Sequence, residues 1–199
     1  IHALEASFVA LFHDLAESGK QETSGSEYVI DSFPIPVCDN IRISRCKLYR
    51  KEMYRGYTAS KKRYFYGLKA HLMITTDGHP IECFFTPGSV ADVTTLPDFT
   101  MDLAPGSSVY ADKAYTLYSE EEFLQEAADI HLCPARKTNS LRAVPPYVAY
   151  WRELMRKRIE TAISQIQVLI PKSIHAVTPR GFELKAFLFV LAYSVTKAA

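Results

Sequence analysis

The sequence predicts an α/β domain in which three antiparallel strands, followed by two short parallel strands, form one mixed sheet flanked by helices. Three observations carry this. Apolar, β-rich runs come first, at Tyr28–Val37, Tyr64–Thr76 and Pro80–Thr86, and the last two are joined by Asp77-Gly78, a pair that accepts the positive φ of a tight hairpin turn. Two shorter runs, Ser107–Ala111 and Ile130–Cys133, then alternate with helical stretches. A long helix between Pro145-Pro146 and Pro171 repeats its apolar positions Met155, Ile159, Ile163, Ile166 and Ile170 at helical spacing.

The remaining elements follow from local signals. Ala3, Phe8, Leu11, Phe12 and Leu15 mark an amphipathic stretch, read as the end of an upstream helical segment over residues 1–27. The main domain then covers 28–199, with a basic insertion at about 38–63. Ser89–Leu103 reads as a helix interrupted or started near Pro97. Ser119 with Glu122 three residues on reads as a capping box that opens a helix through Ala128. Thr178-Pro179 opens the last helix, since proline suits a first helical turn.

With 199 residues, 48% of them hydrophobic and 23% charged, the chain has the make-up of one globular domain. Its most apolar C-terminal stretch, Phe182–Val195, is broken by Glu183 and Lys185, so no run reaches the roughly 18 apolar residues of a membrane span. A soluble, cytoplasmic protein without a membrane partner is expected. Cys38, Cys46, Cys83 and Cys133 fall into no metal-ligand spacing. They suit a reducing compartment and read as small buried hydrophobes. The net charge of +1 hides segregation. Arg42 to Arg63 holds nine Lys/Arg against Glu52 alone, Glu82 to Asp129 holds ten acids against Lys113 alone, and Arg136 to Arg158 holds seven Lys/Arg, Lys137 among them, against Glu153 alone. The first basic stretch, which includes Lys61, Lys62 and Arg63, is interleaved with Tyr49, Tyr54, Tyr57 and Tyr64. Such a stretch either neutralises phosphates and stacks on unpaired bases or forms a solvated loop.

Three acids stand where the chain is otherwise building core. Asp31 lies inside the first strand after Val29 and Ile30, Asp112 follows Val109 and Ala111 at the end of the fourth, and Glu160 sits between Ile159 and Ile163 in the long helix. A carboxylate so placed is costly unless it is paired, hydrogen-bonded or metal-bound. Three in one fold suggest a shared hard cation, Mg²⁺ or Mn²⁺, with two ions able to activate an attacking oxygen and stabilise a leaving one. Taken singly, each has a plainer reading: Asp31 caps a turn, Asp112 caps the loop after its strand, and Glu160 pairs with Arg156. Asp92 reads first as a helix cap and second as an auxiliary acid. His71 reads as a satisfied core histidine.

The segments VIDSFP around Asp31, YGLKAHLMITTDGHPIECFFTPGSVADVTTLP from Tyr66 to Pro97, YADKAY around Asp112 and RKRIETAISQI around Glu160 resemble, in order, successive blocks of DDE transposases from bacterial insertion sequences. The resemblance runs from about Tyr28 to Lys197. It implies a ribonuclease H-like fold in which Asp31, Asp112 and Glu160 are catalytic metal ligands, with two Mg²⁺ or Mn²⁺ ions as cofactors. It also implies double-stranded DNA, element ends and target, as partner and a homodimer as the working complex. The implied chemistry is metal-dependent phosphodiester hydrolysis followed by strand transfer. The alternatives are a nuclease or resolvase of the same fold without strand transfer, and a remnant that only binds DNA. Arg156, Lys157, Lys113, Tyr115, Lys61, Lys62, Arg63 and Lys69 are the candidate DNA contacts. Glu153 stands where relatives commonly carry Tyr, and Gln167 where Lys is common.

Overall fold

The computed structural model describes residues 2–23, 25–59, 61–136, 140, 142 and 144–198, so Lys137 of the third basic stretch lies outside the described residues. Chain order is α1 (Glu5–Glu22), β1 (Glu27–Cys38), β2 (Arg55–Thr58), β3 (Arg63–Thr75), β4 (Pro80–Pro87), β5 (Ser108–Ala111), α2 (Tyr118–Ala128), β6 (His131–Pro134), α3 (Pro146–Leu169) and α4 (Pro179–Ala198). Short 3₁₀ turns fill Asn40–Arg45, Asp92–Asp98 and Lys113–Tyr115.

One six-stranded mixed sheet results, ordered β2-β3-β1-β5-β6, with β4 also paired to β3. Strand β3 runs antiparallel to β1, β2 and β4, while β1, β5 and β6 are mutually parallel. Tyr66 pairs with both Cys38 and Arg55, and Leu68 with both Ile35 and Pro87. Strands β2 and β4 therefore lie end to end along the edge of β3 that β1 leaves free. This is the expected mixed sheet flanked by helices, consistent with the ribonuclease H-like expectation, but with six strands instead of five. The added strand, β2, lies inside the segment expected as a basic insertion.

Side-chain alternation explains why β1 sits centrally. Val29, Phe33 and Ile35 enter one core with α1, α3 and α4, whereas Tyr28 and Ile30 enter another with α2 and the Asp92–Asp98 turn. A strand buried on both faces needs apolar residues at consecutive positions. Asp31 shares the parity of Val29 and Phe33, so it faces the α3 side of the sheet. The hairpin after β3 forms as expected: Gly78 takes φ +87° and donates to Thr75 O at 3.0 Å. Helix α1 packs on β4 and α4, with Phe12 and Ala16 buried.

Two expected helical features are corrected. The stretch Ser89–Leu103 holds no α-helix, only the 3₁₀ turn Asp92–Asp98. Thr94 and Thr95 donate back to Ala91 O and Asp92 O at 2.7 Å each, and Pro97 has no amide hydrogen to continue a helix. The capping box does not form, because α2 begins at Tyr118 and its N-cap, Leu117, receives no side-chain bond. Glu122 is instead ion-paired to Arg142. All four cysteines are free and half-buried. Among the described residues no helix is long and apolar enough to cross a membrane.

Candidate active site

A cavity of about 1270 Å³ opens between the middle of β1, the C-terminal end of β5 and helix α3, and Asp31, Asp112 and Glu160 all line it. Each acid arrives there for a local reason. The parallel pairing of β1 with β5 ends at Ile30↔Ala111. Asp31 is the next residue on β1 and Asp112 is the first residue past β5, so the register carries both to the same end of the β1–β5 ladder. Helix α3 crosses β1 and β5 on its apolar stripe of Met155, Ile159, Ala162, Ile163 and Ile166. The next face of the helix presents Arg156, Glu160, Ser164 and Gln167 to the cavity.

The acids differ in what holds them. Asp31 accepts one bond, from Ser32 N at 2.7 Å. Burial, reinforced by the charges of Asp92, Asp112 and Glu160, pushes its carboxyl up to about 7. Asp112 caps the following turn by accepting from Lys113 N at 2.7 Å, so the capping role is real and leaves its second oxygen for other partners. Arg156 Nε donates to Glu160 Oε1 at 2.9 Å with both side chains more than half exposed. That pair is the plainer arrangement weighed for Glu160, and an exposed i,i+4 pair contributes only about 0.3–0.5 kcal/mol. Among the described residues no three carboxylate, imidazole or thiol groups stand close enough together to hold a metal ion. The donor chemistry nonetheless fits a hard divalent cation. Asp31 is a desolvated carboxylate crowded by three others, and no cationic side chain bonds it among the described residues. Glu160 is bound to Arg156 by a contact weak enough to exchange.

Also lining the cavity, Ser32 Oγ and Lys69 Nζ donate to Asp92 Oδ1 at 2.8 and 2.9 Å, and Lys69 also reaches Val90 O at 2.8 Å. Asp92 is not a helix cap, since Ala91 occupies that position. Its carboxylate instead accepts from Ser32, the residue after Asp31. His71 is a satisfied core histidine, as expected: it bonds Thr86 at 2.9 Å and Thr95 at 3.3 Å and stacks on Phe84. Desolvation holds its pKa down to about 4, which keeps it neutral.

The structure brings half of the expected DNA contacts to this cavity. Lys61, Lys69, Lys113 and Arg156 line it, although Lys69 is committed to Asp92. Lys62 is exposed in the β2–β3 turn with φ +48°, and Arg63, also exposed, opens β3. Lys157 is exposed on α3 but does not line the cavity. Tyr115 is corrected: it is 0% exposed in the second core, and its hydroxyl lies buried without a hydrogen-bond partner, so it presents no surface to a phosphate. Its place after Asp112 carries it under the 3₁₀ turn instead of out of it.

Sequence reasoning missed the right wall of the cavity. Arg136 makes a two-pronged ion pair with Glu121 at 2.7 and 2.5 Å and lies over the Tyr118 ring. Arg142 joins the same cluster. The only signal was opposite charge on the acidic α2 and the basic stretch after β6, with nothing to specify the pairing. Arg152, one helical turn before Arg156, also lines the cavity.

A family model described as transposase DDE domain matches residues 19–175, which contain all three acids. No curated protein and no solved structure matches the chain.

Proposed function

We propose that this chain, which belongs to the transposase DDE domain family, cuts and joins DNA by metal-dependent phosphoryl transfer at the cavity between β1, β5 and α3. The observation that carries the proposal is the register that brings Asp31 and Asp112 to the same end of the β1–β5 ladder, with Glu160 lining the same cavity from α3. Asp31, Asp112 and Glu160 would hold the ions. When bound, Mg²⁺ or Mn²⁺ supplies activation of the attacking oxygen and neutralisation of charge at the leaving oxygen. In the first step a water oxygen bonds to the phosphorus at the element end and the 3′ oxygen leaves as a hydroxyl. In the second, that hydroxyl bonds to a target phosphorus and displaces the target's own 3′ oxygen. No covalent bond to the protein forms in either step.

The chain's residues divide the remaining work. Glu160 must exchange Arg156 for the cation, which frees a guanidinium beside the reacting phosphate. Lys113 and Lys61, at the cavity wall, attract the backbone. Asp92, neutralised by Lys69, steadies Ser32 and through it the backbone that carries Asp31.

The test is nicking of supercoiled plasmid in Mn²⁺, followed by a joining assay with a duplex that already carries a free 3′ end. Nicking is expected in the wild type, falling roughly 100-fold or more in Asp31→Asn and in Asp112→Asn. Nicking without joining would replace the transposase reading with that of a nuclease of the same fold. Undiminished nicking in both variants would remove the acids from the chemistry.

A further inference from the structure

A second cavity, of about 690 Å³, lies at the far end of β1, and Arg42, Arg45, Lys47, His175 and Lys185 line it without a single acid. The first three come from the segment after β1, and the other two from the α3–α4 connection and α4. This contrasts with the catalytic cavity. There Asp31, Asp92, Asp112, Glu153 and Glu160 share the lining with the cations, whereas here the lining holds no acid and, among the described residues, Arg42, Arg45, Lys47 and Lys185 form no ion pair. Lys185 is half-buried, and its ammonium is held by a hydrogen bond to His175 O, so one cation is fixed into the wall and not left waving in solvent. Like charges gathered from two separate parts of the chain repel one another unless an anion sits among them.

The location says which anion. The apolar lining residues Leu48, Ile174 and Ala176 pack on the same core as Val29 and Phe33, so both cavities open on the α3 side of the sheet. Cys38, in the lining, is seven residues beyond Asp31 on β1, a span of roughly 20 Å at the rise of an extended strand. Duplex DNA advances 3.4 Å per base pair, so the separation matches about six base pairs. We infer that this cavity is a second DNA site, which grips backbone phosphates of the duplex about six base pairs from the phosphodiester being cut. The inference rests on the DNA-cutting reading of the first cavity.

The test is fluorescence anisotropy with a labelled 30-base-pair duplex over a series of salt concentrations. The proteins compared are wild type, Arg45→Gln, the double variant Arg45→Gln/Lys185→Gln, and Lys197→Gln. Lys197 lies beside Gly78 in the β3–β4 hairpin and controls for loss of one charge. The double variant is expected to bind about tenfold more weakly at 100 mM salt and to lose about two from the slope of log affinity against log salt, Arg45→Gln about one, and Lys197→Gln nothing. Arg45 is exposed, so its single variant reports even if the change at Lys185 disturbs folding. Slopes equal in all four proteins would overturn the inference, whether or not the wild type nicks plasmid. The expected slopes in a wild type that fails to nick would sink the catalytic reading and leave the DNA site standing.

Discussion

Asp31 is held in a protonation state that its neighbours decide. Burial and three nearby carboxylates raise it to about 7 from an ordinary 3.8, so the folded protein binds a proton that the unfolded chain has already released. Its contribution to stability is fully present below about pH 4 and is lost as pH rises to 7, above which the folded state carries an unpaired buried charge. Replacing Asp31 by Asn removes that cost and preserves shape. In the absence of divalent metal, Asp31→Asn is expected to be the more stable protein at pH 8, by on the order of 2 kcal/mol. That gain should shrink toward zero by pH 4. Urea midpoints of the two proteins between pH 4 and 8 measure it, and a variant less stable at every pH would show that Asp31 is paired after all. The comparison isolates Asp31 from His71, which acts in the opposite sense. The pKa of His71 is lowered to about 4, so its contribution is present above pH 6.5 and lost as pH falls toward 4. At this scale the three acids were legible as carboxylates set among apolar residues, while Tyr115 was misread because sequence cannot show that a 3₁₀ turn folds the ring inward.

Among the elements, α3 carries the most information. Its apolar repeat was plain in the sequence, and the residues that repeat assigned to the core, Met155, Ile159, Ile163 and Ile166, are buried. Ile170 falls just past the last turn and is only half-buried. Ile166→Ala is expected to cost about 3 kcal/mol, since it empties a fully buried site between α3 and the sheet. Arg156→Gln, on the polar face, should change stability by less than about 0.5 kcal/mol. Urea unfolding separates the two, and similar costs would mean that the exposed pair is structural. Strand β2 escaped sequence reading because Arg55-Gly56-Tyr57-Thr58 carries no apolar alternation. It is a strand because β3 offers an unpaired edge, which is a long-range fact. The turn at Asp92–Asp98 misled for the converse reason: the stretch around it holds the helix formers Ala91, Leu96, Met101 and Leu103, but threonine side chains compete for the backbone and Pro97 stops propagation.

For the molecule as a whole, the arrangement that matters is the parallel seating of β5 against β1. These strands are separated by the β3–β4 hairpin and the Asp92–Asp98 turn, and no local signal sets their register. What the sequence did show was an order of blocks, and the family match over residues 19–175 agrees with that order. The division of charge also becomes intelligible only at this scale. Arg136 and Arg142, nearest the acidic α2, are paired with it, while the cations lining the second cavity form no ion pair among the described residues.

The most direct measurement is calorimetric titration of Mn²⁺ into wild type and Glu160→Gln, each in the presence of a short DNA duplex. Binding by the wild type, weakened about tenfold or more in Glu160→Gln, is the expected result and would put Glu160 of α3 at a metal centre. Equal binding by both proteins would leave Glu160 as the partner of Arg156 and nothing more, and binding by neither would contradict metal-dependent chemistry at this cavity.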